Sequence, residues 1–135
     1  MAVIKWRDSF NTGVAQFDRE HHQVVEMIDR LYQAIREKSD QGVVSQVCAE
    51  LVAYAEYHFA NEEKAMAAVS FPGLEEHRRE HALLKEQAMA FQVRIAERFP
   101  EGVTEFYHFL REWLVNHIQE CDRKYGPALA NVSEQ

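Results

Sequence analysis

The sequence is poor in the features that mark several large classes of protein. Its formal net charge is −7, so it lacks the basic excess that a nucleic-acid-binding surface normally needs. No apolar run is long enough to span a membrane, and the amino-terminal stretch MAVIKWRDSF lacks the apolar segment of a signal peptide. We therefore expect a cytoplasmic protein that neither binds nucleic acid nor crosses a membrane.

Cysteine is also scarce, because Cys48 and Cys121 are the two that the chain contains. Two cysteines do not make a disulfide framework, and in a reducing cytoplasm we expect both to be free thiols. Neither belongs to a CxxC pair, which argues against a zinc site built from thiolates.

Histidine, in contrast, is abundant, with seven residues in a chain of 135. His58 and Glu62 are four residues apart, as are His77 and His81. Residues at this spacing share one face of an α-helix, with Cβ atoms about 5–6 Å apart, so both side chains can bind one metal ion. Ser70, Phe71, Pro72 and Gly73 form a turn signal between the two pairs. The sequence therefore predicts two helices that fold back and bring the pairs face to face.

Apolar residues recur at alternating steps of three and four in four segments, which is the spacing of core positions in a helix bundle. The segments predict helices over about residues 18–38, 43–69, 73–98 and 103–124. Short connections make consecutive helices antiparallel. We therefore predict an all-α fold, an up-down-up-down antiparallel four-helix bundle. It forms one domain over residues 1–135, with residues 1–17 as an N-terminal extended arm.

Three details complete the predicted fold. Trp6 and Phe10 are the aromatic residues that would anchor the arm to the domain. Asp18 is of a type that commonly caps helix N-termini, so we expect the first helix to begin there. No long exposed apolar stripe is evident, so we expect a monomer.

Five histidines occupy positions on the apolar seams, namely His21, His58, His77, His81 and His117. In an antiparallel bundle the starts of helices one and three lie beside the ends of helices two and four, so all five would lie at one end. A single seam histidine is more often a hydrogen-bonded core residue. Burying five with Glu62, each unpartnered at about 1–3 kcal/mol, would consume a stability of about 5–15 kcal/mol. A metal cluster satisfies them together.

Asp122 is a further candidate ligand, but its position is awkward. It follows His117 by five residues, which is about 140° around an ideal helix and off the seam. A π-bulge or an unwound turn near residues 117–122 would correct this, and we predict such a distortion.

Other polar residues near the seam are assigned to lesser roles. Glu63 follows Glu62, and we expect it to contact a ligand or be solvated rather than bind metal. His22 and His108 lie off the seams and are expected at the surface. Cys121 adjoins Asp122, and a small packed thiol is a better expectation than a redox role.

These residues form motifs that resemble the hemerythrin family, specifically its single-domain bacterial members. In chain order the motifs are Gly13 with Asp18-x-x-His21, His58-Phe59-x-x-Glu62-Glu63-x-x-Met66, His77-x-x-x-His81, and Trp113-Leu114-x-x-His117-Ile118-x-x-x-Asp122-x-x-Tyr125. The resemblance spans residues 6 to about 125 and implies two iron ions in a non-haem di-iron centre with an oxo or hydroxo bridge. It assigns His77, His81 and His117 to one iron, His21 and His58 to the other, and Glu62 and Asp122 to both as bridges.

Such a ligand set leaves one coordination position of two six-coordinate ions open, on the ion that has two histidines. The resemblance therefore implies reversible O2 binding for transport, storage or supply, and not an enzyme. Apolar residues next to the ligands are candidates for the O2 pocket: Val24, Phe59, Trp113, Leu114 and Ile118. Tyr125 is a candidate hydrogen-bond partner of a ligand.

Three alternatives remain open from the sequence. The same centre could report O2 or redox state to a partner in trans, could act as a peroxidase-type di-iron enzyme, or could store metal. Neither a general acid nor a substrate cleft is visible beyond the site, which disfavours the enzyme. Sites of histidine and carboxylate also accept manganese or zinc. No protein recipient of the O2 is indicated.

Overall fold

The computed structural model describes residues 11–120, 122–127 and 129. Within these residues the α-helices are α1 (Ala15–Arg36), α2 (Gln41–Ala68), α3 (Leu74–Glu97) and α4 (Glu101–Glu120). A short 3-10 helix, Asp122–Tyr125, follows α4. None of the helices in this part of the chain combines the length and apolarity needed to span a bilayer.

The helices form a closed antiparallel bundle. Each packs against the next in sequence, and α4 also packs against α1. The connections span residues 37–40, 69–73 and 98–100, too short to let consecutive helices run parallel. The predicted all-α four-helix bundle is confirmed by this architecture.

The start of α1 differs from the prediction. The helix begins at Ala15, about one turn earlier than expected, and Val14 occupies the N-cap position. The Asp18 carboxylate instead accepts hydrogen bonds from the preceding loop, from Thr12 N at 2.7 Å, Thr12 Oγ1 at 2.8 Å and Gly13 N at 3.3 Å. Gly13 adopts a positive φ of 89°, which favours glycine. The prediction that Asp18 caps α1 was therefore wrong.

The described part of the predicted arm is consequently short, because the chain is already helical from Ala15. Residues 11–14 precede the helix and are tied to it through Asp18. Trp6 and Phe10, the predicted anchors, lie outside the described residues.

The interior contains two apolar clusters separated along the helices by the buried histidines. The larger includes Ile28, Leu31, Leu51 and Phe106 and fills the end of the bundle where α4 begins. The smaller consists of Val14, Phe17, Met66, Tyr125 and Leu129, and it covers the opposite end. His21 lies in sequence between Phe17 of the smaller cluster and Val24 of the larger one, and His117 lies between Trp113 of the larger cluster and Tyr125 of the smaller one. The polar layer is therefore enclosed by apolar side chains on both sides.

Candidate metal centre

All four helices contribute side chains to one buried polar layer. The set consists of His21 from α1, His58 and Glu62 from α2, His77 and His81 from α3, and His117 from α4. Each of these side chains is at most 5% exposed, and Glu62 is fully buried. The helical spacing that identified them also aims them inward, since each lies on the apolar face of its helix.

The Glu62 carboxylate lies at the centre of this layer. Its Oε2 atom is 3.5 Å from Nε2 of His21 and 3.3 Å from Nε2 of His58. Its Oε1 atom is 3.2 Å from Nε2 of His81 and 4.0 Å from Nε2 of His77. The two oxygens therefore face different groups of histidines, as a bridging carboxylate must.

The layer divides into two possible metal-binding sets that share Glu62. One set adds His21 and His58, and the other adds His77, His81 and His117. Within each set, one donor atom from every residue lies within 4.8 Å of the others. We call them the two-histidine set and the three-histidine set. The structure thus brings together six of the seven predicted metal ligands.

The protonation of Glu62 suits a metal ligand. Burial is the strongest influence on its pKa and would raise it. The charge of His58 and the close imidazole nitrogens of His21, His58 and His81 outweigh burial and hold the pKa of Glu62 well below its usual value. The carboxyl is therefore ionised, which is the form that binds a cation.

Tyr125 contacts the same carboxylate from the 3-10 helix. Its hydroxyl donates a hydrogen bond to Oε2 of Glu62, and the tyrosine is itself fully buried. Tyr125 thus forms a hydrogen bond with the shared carboxylate. A hydrogen bond of this kind fixes the orientation of a ligand.

Two further carboxylates bind the outer nitrogens of the histidines. Glu63 Oε2 lies 2.9 Å from Nδ1 of His81, which places this residue beside a ligand rather than among the ligands, as expected. Glu20 Oε1 lies 2.6 Å from Nδ1 of His58 and is buried. Glu20 was not among the predicted site residues. The signal was present, because Glu20 follows Phe17 by three residues and precedes Val24 by four, which puts an acid on the inward face of α1.

The environment of Glu20 keeps this carboxylate ionised. Burial acts most strongly on its pKa and would raise it. Hydrogen bonds from His58, Gln16 and Asn61, with the charge of His58, outweigh that effect and lower the pKa below its usual value.

The candidate pocket residues are only partly described. Val24, Phe59 and Trp113 are buried, whereas the side chains of Leu114 and Ile118 lie outside the described part of the chain. Phe59 stacks on His81 with ring centroids 4.0 Å apart, and Trp113 stacks on His117 at 5.9 Å.

A narrow crevice of about 30 Å³ adjoins Phe59 and Trp113. Its lining is mainly apolar and comes from α2, α3 and α4, including Leu51, Ala55, Leu84, Ala88 and Leu110. The walls on this side of the polar layer are therefore apolar.

The end of α4 changes conformation where the sequence predicted it. The α-helix ends at Glu120, and the backbone from Asp122 to Tyr125 is a 3-10 helix. The predicted distortion is thus present from Asp122 onward, but it is a tighter 3-10 helix, and residues 117–120 remain α-helical instead of forming a π-bulge or an unwound turn. The Asp122 side chain lies outside the described residues, so its role as a ligand stays a prediction.

The remaining histidines and the cysteines were not predicted to bind metal. His22 and His108 are exposed, as expected. Cys48 is buried in the apolar core, and burial raises the pKa of its thiol to about 12, so it stays protonated at neutral pH. Cys121 lies outside the described residues.

The chemistry of the donor set fits a metal centre. Oε1 of Glu62 and Nε2 of His81 are both buried and only 3.2 Å apart, yet neither makes a hydrogen bond within the described residues. Five imidazoles and one carboxylate are ligands that suit divalent first-row metals. A cation between these atoms would stabilise groups that are otherwise costly to bury.

Comparisons with known proteins agree with this arrangement. The family described as "Hemerythrin HHE cation binding domain" matches residues 12–129. A bacteriohemerythrin of Pseudomonas aeruginosa is 33% identical over 129 residues, which cover 96% of this chain and 83% of that protein. A myohemerythrin of Theromyzon tessulatum is 29% identical over 90% of this chain and 89% of its own. A crystal structure of wild-type hemerythrin superposes with a TM-score of 0.87 at 27% identity, covering 96% of this chain and 99% of its own.

Proposed function

The chain belongs to the hemerythrin family, and from this premise we propose that it binds O2 reversibly at a di-iron centre. The observation that carries the proposal is the buried layer in which one carboxylate is shared between two sets of histidines. A shared carboxylate with separate imidazoles on each oxygen is what a pair of neighbouring metal ions requires.

We assign the ligands from the two sets. His77, His81 and His117 would hold one iron, and His21 and His58 the other. Glu62 would bridge them, joined by Asp122 from the 3-10 helix. When bound, the two ferrous ions supply two electrons and one open coordination position for O2.

The surrounding residues favour reversible binding over further oxidation chemistry. Five neutral imidazoles contribute no negative charge, so the ligand set is less anionic than the glutamate-rich sites of ferritin-like bundles. A less anionic set stabilises high oxidation states of iron poorly. Phe59 and Trp113 shield two of the histidines with aromatic rings, which limits the access of water. Tyr125 holds the orientation of the bridging carboxylate.

This proposal is of an O2-binding protein rather than an enzyme. Among the described residues, Glu20, Glu63 and Tyr125 serve as hydrogen-bond partners of the candidate ligands. The same centre would serve transport, storage or supply of O2, and O2 is the partner that the proposal names.

An optical experiment tests the proposal directly. The protein is loaded with Fe(II) without oxygen, its iron content is measured, and its spectrum is recorded before air, in air and after deoxygenation. We expect two irons per chain and a visible charge-transfer band that appears with air and fades on deoxygenation. A band that never reverses would favour a redox sensor or an enzyme, and peroxide turnover would identify the enzyme. Zinc in place of iron, with no band, would overturn the assignment.

A further inference from the structure

Glu20 links helices α1 and α2 at the edge of the two-histidine set. Its Oε1 atom lies 2.6 Å from Nδ1 of His58. Its Oε2 atom accepts hydrogen bonds from Nε2 of Gln16 at 3.0 Å and Nδ2 of Asn61 at 3.0 Å. With both oxygens engaged and only 6% of the residue exposed, this carboxylate has a fixed position.

The contact determines which nitrogen of His58 can bind a metal. Nδ1 of His58 faces a carboxylate oxygen that lies among hydrogen-bond donors, since the amides of Gln16 and Asn61 donate to the other oxygen, so in this contact Nδ1 donates and the carboxylate accepts. An imidazole that binds a metal is neutral, so the other nitrogen, Nε2, then carries the lone pair that the metal accepts. Nε2 is the atom that lies 3.3 Å from Glu62, toward the centre of the polar layer. The hydrogen bond also makes the imidazole a stronger donor to a metal.

The matching contact in the three-histidine set is weaker in several respects. Oε2 of Glu63 lies 2.9 Å from Nδ1 of His81. The Glu63 side chain is 27% exposed, so water screens the charge of its carboxylate. Its other oxygen lies 3.5 Å from Nε of Arg78, which neutralises part of that charge. Oε2 of Glu20, in contrast, accepts hydrogen bonds from the uncharged amides of Gln16 and Asn61.

We propose that Glu20 is a positioning residue for the two-histidine half of the metal centre. It holds His58 in the tautomer that binds metal through Nε2 and strengthens that nitrogen as a donor. The proposal rests on the proposed di-iron function for its ligand assignment. It adds that metal binding by the two-histidine set depends on the buried carboxylate of Glu20. Metal binding by the three-histidine set depends less on Glu63, which is more exposed.

The test uses Co(II) titration of the metal-free full chain, monitored by its visible absorption, in wild type, Glu20→Gln and Glu63→Gln. Glutamine keeps the size of the side chain and removes its charge. We expect two Co(II) in wild type and, in Glu20→Gln, one binding step weakened about 10–100-fold while the other is unchanged. Glu63→Gln is the matched control, with a smaller effect on the other step.

A second readout separates positioning from a structural role. In the metal-free protein, nitrogen-15 NMR of the histidine rings should show a protonated Nδ1 in His58 of the wild type. We expect this resonance to shift in Glu20→Gln and to return toward its wild-type position in Glu20→Asp. A residue that merely joined α1 to α2 would lower the melting temperature without changing the tautomer.

Several results would overturn the proposal. These are a Glu20→Gln isotherm that superposes on wild type, equal weakening of both steps, or fewer than two Co(II) in wild type. If Glu20→Gln does not fold, Glu20→Ala, which also removes the carboxylate, is titrated in its place. Failure of the O2 experiment alone, with two Co(II) bound and one step sensitive to Glu20, would contradict the proposed function and leave the role of Glu20 standing.

Discussion

The two ends of the bundle use the same seam positions with opposite chemistry. Toward the start of α4, the seams carry Ile28, Leu31, Leu51 and Phe106, which are at most 2% exposed and pack without polar groups. Toward the end of α4, the seams carry five histidines and Glu62, which are at most 5% exposed. The apolar end packs from protein atoms alone, whereas the polar end has the donor atoms that could hold a metal ion. Stability and metal binding should therefore separate along the bundle.

Replacing Glu62 should have the largest effect, because it is the one described carboxylate that both sets share. In Glu62→Gln, the amide cannot bridge two cations, so we expect loss of binding at both halves and no charge-transfer band. Metal content after Fe(II) loading and desalting measures this. Glu56→Gln, on the same helix but 48% exposed, is the matched control and should bind two irons. Retention of one tightly bound iron in Glu62→Gln would show that the two halves are independent.

The apolar end should respond in the opposite way. Leu31 is fully buried in the larger cluster, so Leu31→Ala removes its packing and leaves a cavity. We expect the free energy of unfolding to fall by about 2–5 kcal/mol, by similar amounts in metal-free and metal-loaded protein. Urea denaturation of both forms measures it, and iron content should remain at two per chain.

Leu83→Ala provides the control for that measurement, because Leu83 is 50% exposed on α3. Its unfolding free energy should change by no more than about 0.5 kcal/mol. Loss of an iron in Leu31→Ala would show instead that packing at the apolar end controls the polar end.

The sequence predicted the features that depend on helical periodicity. It missed those in which a side chain can hydrogen-bond to either of two neighbouring segments. The positions of His21, His58, His77, His81 and His117 follow from helical spacing and antiparallel order alone. The role of Asp18 does not follow from spacing. A carboxylate near a helix start can accept hydrogen bonds from the helix or from the preceding loop, and here Thr12 and Gly13 supply the donors. Such a choice depends on the path of the loop, which periodicity does not encode.

Two other limits have the same origin. Glu20 was missed because a buried acid is identified by its partners, and its partners His58 and Asn61 come from a different helix. On α3, the seam positions Leu84, Ala88 and Phe91 are only half-buried, although their spacing matches the other seams. Leu84 and Ala88 line the crevice between α3 and its neighbours, and sequence spacing does not reveal how closely two helices approach.

The smallest expected effect is that of replacing Tyr125. This change compares the two-histidine half of the polar end with the three-histidine half. Tyr125→Phe removes the hydrogen bond to Oε2 of Glu62 but keeps the ring contacts with Phe17 and His77. Oε2 is the oxygen that faces His21 and His58, so the lost orientation should affect the two-histidine half more. We expect the affinity for Co(II) at one binding step to fall by about tenfold. This is the lower end of the range for losing a hydrogen bond to a metal ligand. Competition with a chelator measures both steps. Equal weakening of the two steps would mean that Glu62 shifts as a unit, and that its two oxygens do not serve the two halves separately.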